Sequence, residues 1–368
     1  MKVAIVHDWF VGGGAERVVE QLHKMYPQAP IYTSYCSPDW RRHLADAEII
    51  TSYMQHWPLS KLRKFLPPLR AMWFSRLDLS RFDLVISSSG AEAKAVKVMA
   101  PAIHINYCHA PTHYYWSRYE EYMSSPGFGR LDFLARIGLK LLLGPMRRWD
   151  YKAAQSPTYM VANSNYTKDQ IQKYYGRDSV VIHPPVDVER FAGLPGEPRR
   201  GFLVVGRQTP YKRIDLAVKA CSELGLPLVV IGSGPDNRKL HKMAGKSVTF
   251  LAGKTDQEIV HYFQTSQAFI FPGLDDFGIT PIEALAAGTP VIAYKAGGAL
   301  DYVKLGQTGE FFNEQTVGSL AASLKKFNSE NYNHVQIQKV AQRYSPEIFS
   351  KDMKGFIDKC LKSKTSQS

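Results

Sequence analysis

Apolar positions along this chain gather in short, mostly unbroken runs. The first half has Val3-Ala4-Ile5-Val6, Leu84-Val85-Ile86, Ile103-His104-Ile105-Asn106-Tyr107 and Tyr159-Met160-Val161-Ala162. The second half has Phe202-Leu203-Val204-Val205, Leu228-Val229-Val230-Ile231, Val248-Thr249-Phe250, Ala268-Phe269-Ile270-Phe271 and Val291-Ile292-Ala293. Runs this short and rich in Val and Ile predict strands buried on both faces of a parallel sheet. Helical patterns fill the gaps, as in Pro281-Ile282-Glu283-Ala284-Leu285-Ala286-Ala287, which lies between two such runs. Strand and helix alternate nearly from end to end, and the predicted class is α/β.

With 368 residues the chain is long for one core and suits two domains. The Pro- and Gly-rich stretch "GLPGEPRRG", Gly193 to Gly201, breaks both periodicities and reads as the linker. Residues 1–192 then form one Rossmann-like domain and 193–345 a second. Residues 346–368 form a C-terminal helix that packs back on the first domain and ends in a frayed polar tail. Two doubly wound domains bind ligands at the carboxyl ends of their strands, so the active site is expected in the cleft between them.

Composition narrows the classes. Hydrophobic residues make up 45% and charged residues 21%, a globular balance. The four cysteines, Cys36, Cys108, Cys221 and Cys360, are scattered without a CxxC pair, against a disulfide scaffold or zinc site and for a reducing cytosol. No run of about 18 apolar residues offers a membrane span, and the first residues read as a strand rather than a signal peptide. The net charge of +13 is compatible with nucleic acid, an anionic membrane or phosphorylated substrates.

Five stretches carry candidate chemistry. "GGGAERV", Gly12 to Val18, follows the first strand and opens a helix, so Gly13 and Gly14 let backbone amides approach a ligand. It fails the GxGxxG fingerprint, and a plain tight turn is the other reading. "GRQTPYKRIDLAVKA" sets Arg207 at a strand end, with Lys212 and Arg213 beginning the next helix. Two cations on one loop would neutralise a diphosphate; a solvated basic turn is the alternative. "GSGPDN", Gly232 to Asn237, is a further glycine turn that also lacks the third glycine. "GLDDFGITPIEALAAGTP" places Asp275 and Glu283 on either side of Phe277-Gly278-Ile279-Thr280. Glu283, on the first turn of its helix, suits two ribose hydroxyls, Asp275 suits sugar hydroxyls, and the loop amides between them suit the rest. The bland reading is an early glutamate that favours the helix dipole. "YCHAPTHYYW" ends a strand in His109, His113 and an aromatic cluster; only His109 sits at the presumed cleft rim.

Together these stretches resemble the retaining, nucleotide-sugar-dependent glycosyltransferases of GT-B fold, in the large group of bacterial mannosyl- and glucosyltransferases (glycosyl transferases group 1). The resemblance covers nearly the whole chain. The family's arginine and lysine match Arg207 and Lys212, its paired acids match Asp275 and Glu283, its glycine loop matches Gly13-Gly14-Ala15-Glu16-Arg17, and its active-site histidine matches His109. The first acid is usually glutamate; Asp275 withdraws the charge by one methylene, roughly 1.5 Å. The resemblance implies transfer of a hexose, mannose first, from GDP-mannose or a UDP-hexose to a saccharide acceptor, with retention, no cofactor and no metal. Arg207, Lys212, His109 and Asp275 would be catalytic, and Gly13, Gly14, Phe277, Gly278, Ile279, Thr280 and Glu283 would bind substrate. Rival classes are an NAD-dependent oxidoreductase of Rossmann type, a nucleic-acid binder, for which no recognised module is present, and an inactive sugar-binding relative.

The surplus charge has a further reading. "LSKLRKFLPPLRAMWFSRL", Leu59 to Leu77, interleaves Lys61, Arg63, Lys64, Arg70 and Arg76 with large apolar side chains, and "RLDFLARIGLKLLLGPMRRW", Arg130 to Trp149, repeats the theme. Such stretches suit a helix in the headgroup plane of an anionic membrane, and an ordinary core-facing helix is the alternative. Both lie in the first domain, which the resemblance implies binds the acceptor, as it implies that the second binds the nucleotide sugar. They point to a peripheral enzyme on the cytoplasmic face of the cell membrane, extending a lipid-linked saccharide in surface glycan or polysaccharide biosynthesis.

Overall fold

The computed structural model of the chain describes residues 1–124, 129, 132–193, 196 and 198–365. Leu194, Pro195 and Glu197 of the expected linker lie outside the described residues. So do Arg130 and Leu131 at the head of the second basic stretch, residues 366–368 of the tail, and the Lys64 side chain. The chain forms two compact units, Met1–Pro185 with Phe349–Ser368, and Val186–Ile348.

The first unit is built on a seven-stranded sheet: β1 (Val3–His7), β2 (Ile31–Thr33), β3 (Ile49–Thr51), β4 (Leu84–Ser89), β5 (Ile103–Cys108), β6 (Tyr159–Ala162) and β7 (Val180–Val181). Its order is β3-β2-β1-β4-β5-β6-β7, and every pair is parallel. The second unit has six parallel strands: β8 (Phe202–Val205), β9 (Leu228–Ile231), β10 (Val248–Leu251), β11 (Ala268–Phe271), β12 (Val291–Tyr294) and β13 (Gly309–Phe312), in the order β10-β9-β8-β11-β12-β13. Counted from its own first strand, each sheet runs 3-2-1-4-5-6, and the first adds a seventh strand at the end. The direction of winding reverses between β1 and β4 in one sheet and between β8 and β11 in the other, and ligands of open α/β sheets bind at such reversals.

The unbroken apolar runs follow from burial on both faces. In β1, Val3 and Ile5 join Leu84 and Ile86 in one core, while Ala4 and Val6 join Val85 in the core on the other face. The second sheet repeats this: Leu203, Phe269 and Phe271 pack on one side, and Phe202, Val204, Ala268 and Ile270 on the other. Alternate side chains point to opposite faces, and each large one contributes roughly 1.5–3 kcal/mol when fully buried. β2, β3, β7 and β13 are not marked by the apolar runs. They are short, and β13 includes Gly309 and Glu310.

The structure moves the domain boundaries from 1–192, 193–345 and 346–368. Val186, Val188 and Phe191 belong to the second core, and the Val186 amide donates to the Tyr344 carbonyl at 2.8 Å. These residues precede the expected boundary because their apolar side chains, not the glycine-rich stretch, decide which core they join. The helix Pro346–Thr365 places Phe349, Met353, Ile357 and Cys360, one per turn, in the first core.

Leu59–Leu77 is also not one amphipathic helix. It is a turn of helix at Leu59–Leu62, a 3-10 turn at Arg63–Phe65 and a helix at Pro67–Ser75. Pro67 and Pro68 cannot donate to a preceding turn, so they open a new helix. Arg70, expected on a membrane-facing surface, is 2% exposed and paired with Glu92. Among the described residues, no helix is long and apolar enough to cross a membrane.

Candidate active site

In the second unit, Arg207 follows β8 directly after Gly206, on the strand beside the reversal. It is exposed, and among the described residues its guanidinium forms no ion pair. Its loop is clasped from behind: Gln208 donates from Nε2 to the Gly232 carbonyl at 2.9 Å and accepts from Asn237 Nδ2 at 2.8 Å. Lys212 does not begin a helix, as its spacing suggested. It ends a 3-10 turn, Pro210–Lys212, and the helix starts at Ile214. Arg213 between them has φ +50°, a left-handed conformation that strains a residue with a Cβ and turns the chain sharply into the helix.

Lys212 Nζ pairs with Asp275 Oδ2. The Lys212 side chain is 23% exposed and that of Asp275 14%, so the pair lies at the surface edge of the core. Asp275 Oδ1 is buried without a hydrogen-bond partner. One carboxylate oxygen thus neutralises the lysine and the other awaits a donor, an unfavourable arrangement for a buried acceptor.

The loop carrying Asp275 is set by backbone packed on backbone. A Cβ on Gly297 would lie 2.5 Å from the Asp275 carbonyl oxygen, and one on Gly298 would lie 2.3 Å from the Phe277 carbonyl oxygen. Gly298 N–H donates to the Asp275 carbonyl at 2.9 Å. A Cβ on Gly273 would lie 3.0 Å from Lys212 Cα, so this loop and the Lys212 turn also touch. Phe277 is 3% exposed, its ring 5.7 Å from Tyr302 and 5.8 Å from Tyr344, and Tyr302 OH donates to its carbonyl at 3.0 Å. Its side chain is an anchor, so any contact it makes with a ligand comes from the backbone. Gly278 has φ +89°, and a Cβ there would meet Tyr302 Oη at 2.8 Å. The helix Ile279–Ala286 begins at once, with Ile279 and Thr280 in its first turn. Glu283 therefore stands in the second turn, not the first. It is half-buried, one turn along from Ile279.

In the first unit the loop after β1 holds Gly12, Gly13 and Gly14, and its helix runs from Ala15 to Met25. Glu16, 3% exposed, accepts from the Val11 amide at 3.1 Å and the Gly12 amide at 2.8 Å through Oε1. A carboxylate of the chain already occupies part of the supposed anion cradle. A Cβ on Gly13 would come 3.1 Å from Glu16 Oε2. His109 is the first residue after β5; its Nε2 lies 2.7 Å from Ser88 Oγ, and its carbonyl accepts from Asn163 Nδ2 at 2.9 Å. Asp8, at the end of β1, accepts from the amides of Gly90, Ala91 and Ala93 at 2.7–2.9 Å and shapes the loop after β4. His113, set aside on sequence grounds, bonds Ser117 Oγ through Nδ1 at 2.8 Å.

Residues 185–344 match the family model described as glycosyl transferases group 1, and residues 12–190 match that of glycosyltransferase family 4. Each match spans somewhat less than half of the chain, the second unit resembling the group 1 family and the first unit family 4. Similar curated proteins include the D-inositol 3-phosphate glycosyltransferase of Rhodococcus jostii, 30% identical over 203 residues, which are 46% of this chain and 45% of that protein. The enzyme of that name from Mycobacterium tuberculosis is 27% identical over 191 residues, 45% of this chain and 40% of that protein. The matches thus span less than half the length of these relatives. Among solved structures, Anabaena HepE in complex with UDP-glucose superposes with a TM-score of 0.68 at 16% identity, covering 98% of this chain and all of that one. Sucrose-phosphate synthase from Thermosynechococcus elongatus gives 0.71 at 14% identity, covering 99% and 100%. These likenesses establish the two parallel-sheet α/β domains of the GT-B glycosyltransferases.

The structure brings Lys212 and Asp275 into contact and places Arg207 on the adjoining strand end. Sequence reasoning missed Gly297-Gly298, although paired glycines in the loop just after a strand are a readable sign of close backbone approach. It also missed Asp8, Glu92, Lys94 and Asp150, single charges with no pattern around them to mark their burial.

Proposed function

We propose that this protein is a glycosyltransferase that moves a hexose from a nucleoside diphosphate sugar to a hydroxyl of a saccharide acceptor, with retention at the anomeric carbon. The observation that carries this reading is the Lys212–Asp275 pair at the second sheet's reversal, with exposed Arg207 beside it. Lys212 exchanges Asp275 for the donor's diphosphate. Asp275 is then left with acceptor oxygens for sugar hydroxyls, Oδ1 being unpartnered already. As the sugar–oxygen bond breaks, charge builds on the leaving diphosphate, and Arg207 and Lys212 stabilise it more than they stabilise the bound donor. Side-chain cations thus take the part that a metal would otherwise play. Backbone amides from Gly278 to Thr280 and the Glu283 carboxylate hold the sugar and ribose hydroxyls, and His109 serves the transferred sugar. Glu16 makes the first unit's glycine loop a poor place for a second anion, which suits an acceptor that presents hydroxyls there.

GDP-mannose and the UDP-hexoses are the candidate donors, the latter supported by the UDP-glucose complex of the HepE neighbour. Thermal stabilisation by GDP-mannose, UDP-glucose, UDP-galactose or UDP-N-acetylglucosamine tests the reading: a cognate donor at a hundred times its Kd adds about 2.7 kcal/mol. No shift with any of the four would contradict it.

The acceptor is proposed to be lipid-linked and the enzyme peripheral on the inner face of the cell membrane. Support comes from the helix Asp132–Gln155, where Phe133 is 65% exposed, Leu134 58% and Leu141 72%, beside Lys140 and Arg148. Among its described residues none before Met146 is buried. An apolar row with cationic neighbours suits the headgroup–acyl boundary of an anionic bilayer. Co-sedimentation should appear with phosphatidylglycerol vesicles, fall as salt rises, and be lost in Leu141→Glu. Equal recovery in the supernatant with neutral and anionic vesicles would rule the membrane out.

A further inference from the structure

The first unit buries two ion pairs that the proposed chemistry does not use. Arg70 and Glu92 meet through two contacts, Nε to Oε2 at 3.0 Å and Nη2 to Oε1 at 2.9 Å. Lys94 and Asp150 meet at 2.7 Å, with side chains 1% and 0% exposed. Glu92 caps and Lys94 centres the same 3-10 turn, Ala93–Ala95, after β4. Each pair also grips the segment that follows His109. Glu92 Oε1 accepts from Tyr114 OH at 2.6 Å. Asp150 Oδ1 accepts from Thr112 Oγ1 at 2.8 Å, and Oδ2 accepts from Trp116 Nε1 and Tyr175 OH, both at 2.7 Å. Tyr175 OH in turn accepts from the Thr112 amide at 3.2 Å. Thr112, Tyr114 and Trp116 are thus held to Asp150, Glu92 and Asp150 in succession.

Burying charge in this way is a poor means of gaining stability. Desolvation costs each ion several kcal/mol, and well-packed apolar residues of similar volume often do as well or better. What such a network supplies is geometry, because every donor and acceptor has one place to go. Both carboxylates direct their bonds at one short segment, and that segment begins at His109. Its root is fixed as well: the His109 amide donates to the Ser89 carbonyl at 2.9 Å, and Arg147 Nε donates to the Tyr115 carbonyl at 2.6 Å.

We propose that Glu92 and Asp150 are positioning residues, each acting through its buried ion pair to hold residues 109–118 in the one conformation that presents His109 and the aromatic wall beside it. The inference rests on the transfer reaction proposed above, but its structural half is testable without a donor. Burial alone would lower the Lys94 pKa, yet the charge and hydrogen bond of Asp150 outweigh it and hold it above its ordinary value, so Lys94 stays charged at neutral pH.

The test is the double variant Lys94→Met/Asp150→Asn, which removes both charges and keeps a polar group beside Thr112 and Trp116. Amide hydrogen exchange at Tyr115, Trp116 and Arg118 should accelerate at least about tenfold relative to the strands β4 and β5. The pH titration of the His109 imidazole, followed by NMR, should shift. Binding of UDP or GDP should stay within about twofold, while turnover of the cognate donor falls about tenfold or more. If UDP and GDP do not bind the wild-type protein, the transfer reading fails and the exchange and titration results still decide the positioning role. Unchanged loop exchange and an unchanged His109 titration in the variant would overturn it. Should the variant not fold, the wild-type exchange map decides: protection of those three amides comparable to β4 and β5 supports the inference, and free exchange refutes it.

Discussion

The two sheets share a winding order, yet their ligand-facing rims are built by opposite means. In the first unit side chains do the holding: Asp8 takes three amides, Glu16 takes two, and two buried ion pairs brace the segment after His109. In the second unit backbone rests on backbone through Gly297, Gly298 and Gly273, while Arg207 is left exposed and Lys212 paired at an edge. A rim whose carboxylates are already committed offers hydroxyl-rich ligands a fixed shape. One that keeps cations near the surface offers an anion charge. On the function proposed above, the difference suits the first rim to the acceptor and the second to the donor diphosphate.

Breaking the backbone packing should have the largest effect. In Gly298→Ala the new Cβ would sit 2.3 Å from the Phe277 carbonyl oxygen and 2.4 Å from its Cα, with no flexible side chain to yield. The 275–278 loop must move, and we expect donor binding to weaken by about a hundredfold or more, since backbone displacement at a site is among the costliest of single changes. Gly318→Ala, which meets nothing within 4 Å inside the helix Val317–Lys326, should leave binding intact and add up to about 1 kcal/mol of helix propensity. Equal binding by both variants, measured by calorimetry, would show that the glycine contacts do not set the loop.

Removing charge should cost less. Lys212→Ala and Glu283→Ala are each expected to lower turnover of the cognate donor tenfold to about a thousandfold while the protein stays folded. Lys212→Ala also strands Asp275 without its cation, so Lys212→Ala/Asp275→Asn should recover stability but not rate. Near wild-type rates in either single variant would remove that residue from the mechanism.

The smallest effect belongs to the first sheet's interior. His104 is buried beside Ser87, whose Oγ lies 2.7 Å from its Nε2. Burial, aided by the Arg177 charge, pushes its pKa down to about 3. The unfolded chain therefore binds this proton first as pH falls. The stability is fully present above about pH 6.5 and is lost progressively between there and about pH 3, amounting to about 2 kcal/mol by pH 5. Unfolding free energies from urea titrations at pH 7 and pH 5 should differ by that much more in the wild type than in His104→Gln, and parallel changes would exclude His104 as the source.

The strands with continuous apolar runs, both glycine turns at β1 and β8, and the pairing of strand ends with Arg207, Asp275 and His109 could all be read in the sequence, because burial on two faces leaves an unbroken apolar run that marks where each strand ends. β2, β3 and β7 could not, since two or three residues make no recognisable run, and neither could β13, where Gly309 and Glu310 interrupt the apolar residues. Arg70 was misread because an isolated cation next to leucines has the same pattern on a surface as over a buried partner twenty-two residues away. Lys94 and Asp150 are invisible for the same reason. Buried charge is a property of tertiary contact, and no local spacing encodes it. Glu283 slipped by one turn because Gly278, free to take φ +89°, starts its helix before the proline that seemed to open it.

The contrast between the rims reduces to one titration. UDP and GDP should be titrated calorimetrically into the wild type, Lys212→Ala and Glu16→Gln, using whichever nucleotide binds the wild type. The account predicts affinity at least about tenfold weaker in Lys212→Ala, the loss of one charge-assisted contact, and unchanged within about twofold in Glu16→Gln. Wild-type affinity in Lys212→Ala together with altered affinity in Glu16→Gln would place the diphosphate on the first unit and contradict the assignment of donor and acceptor made here.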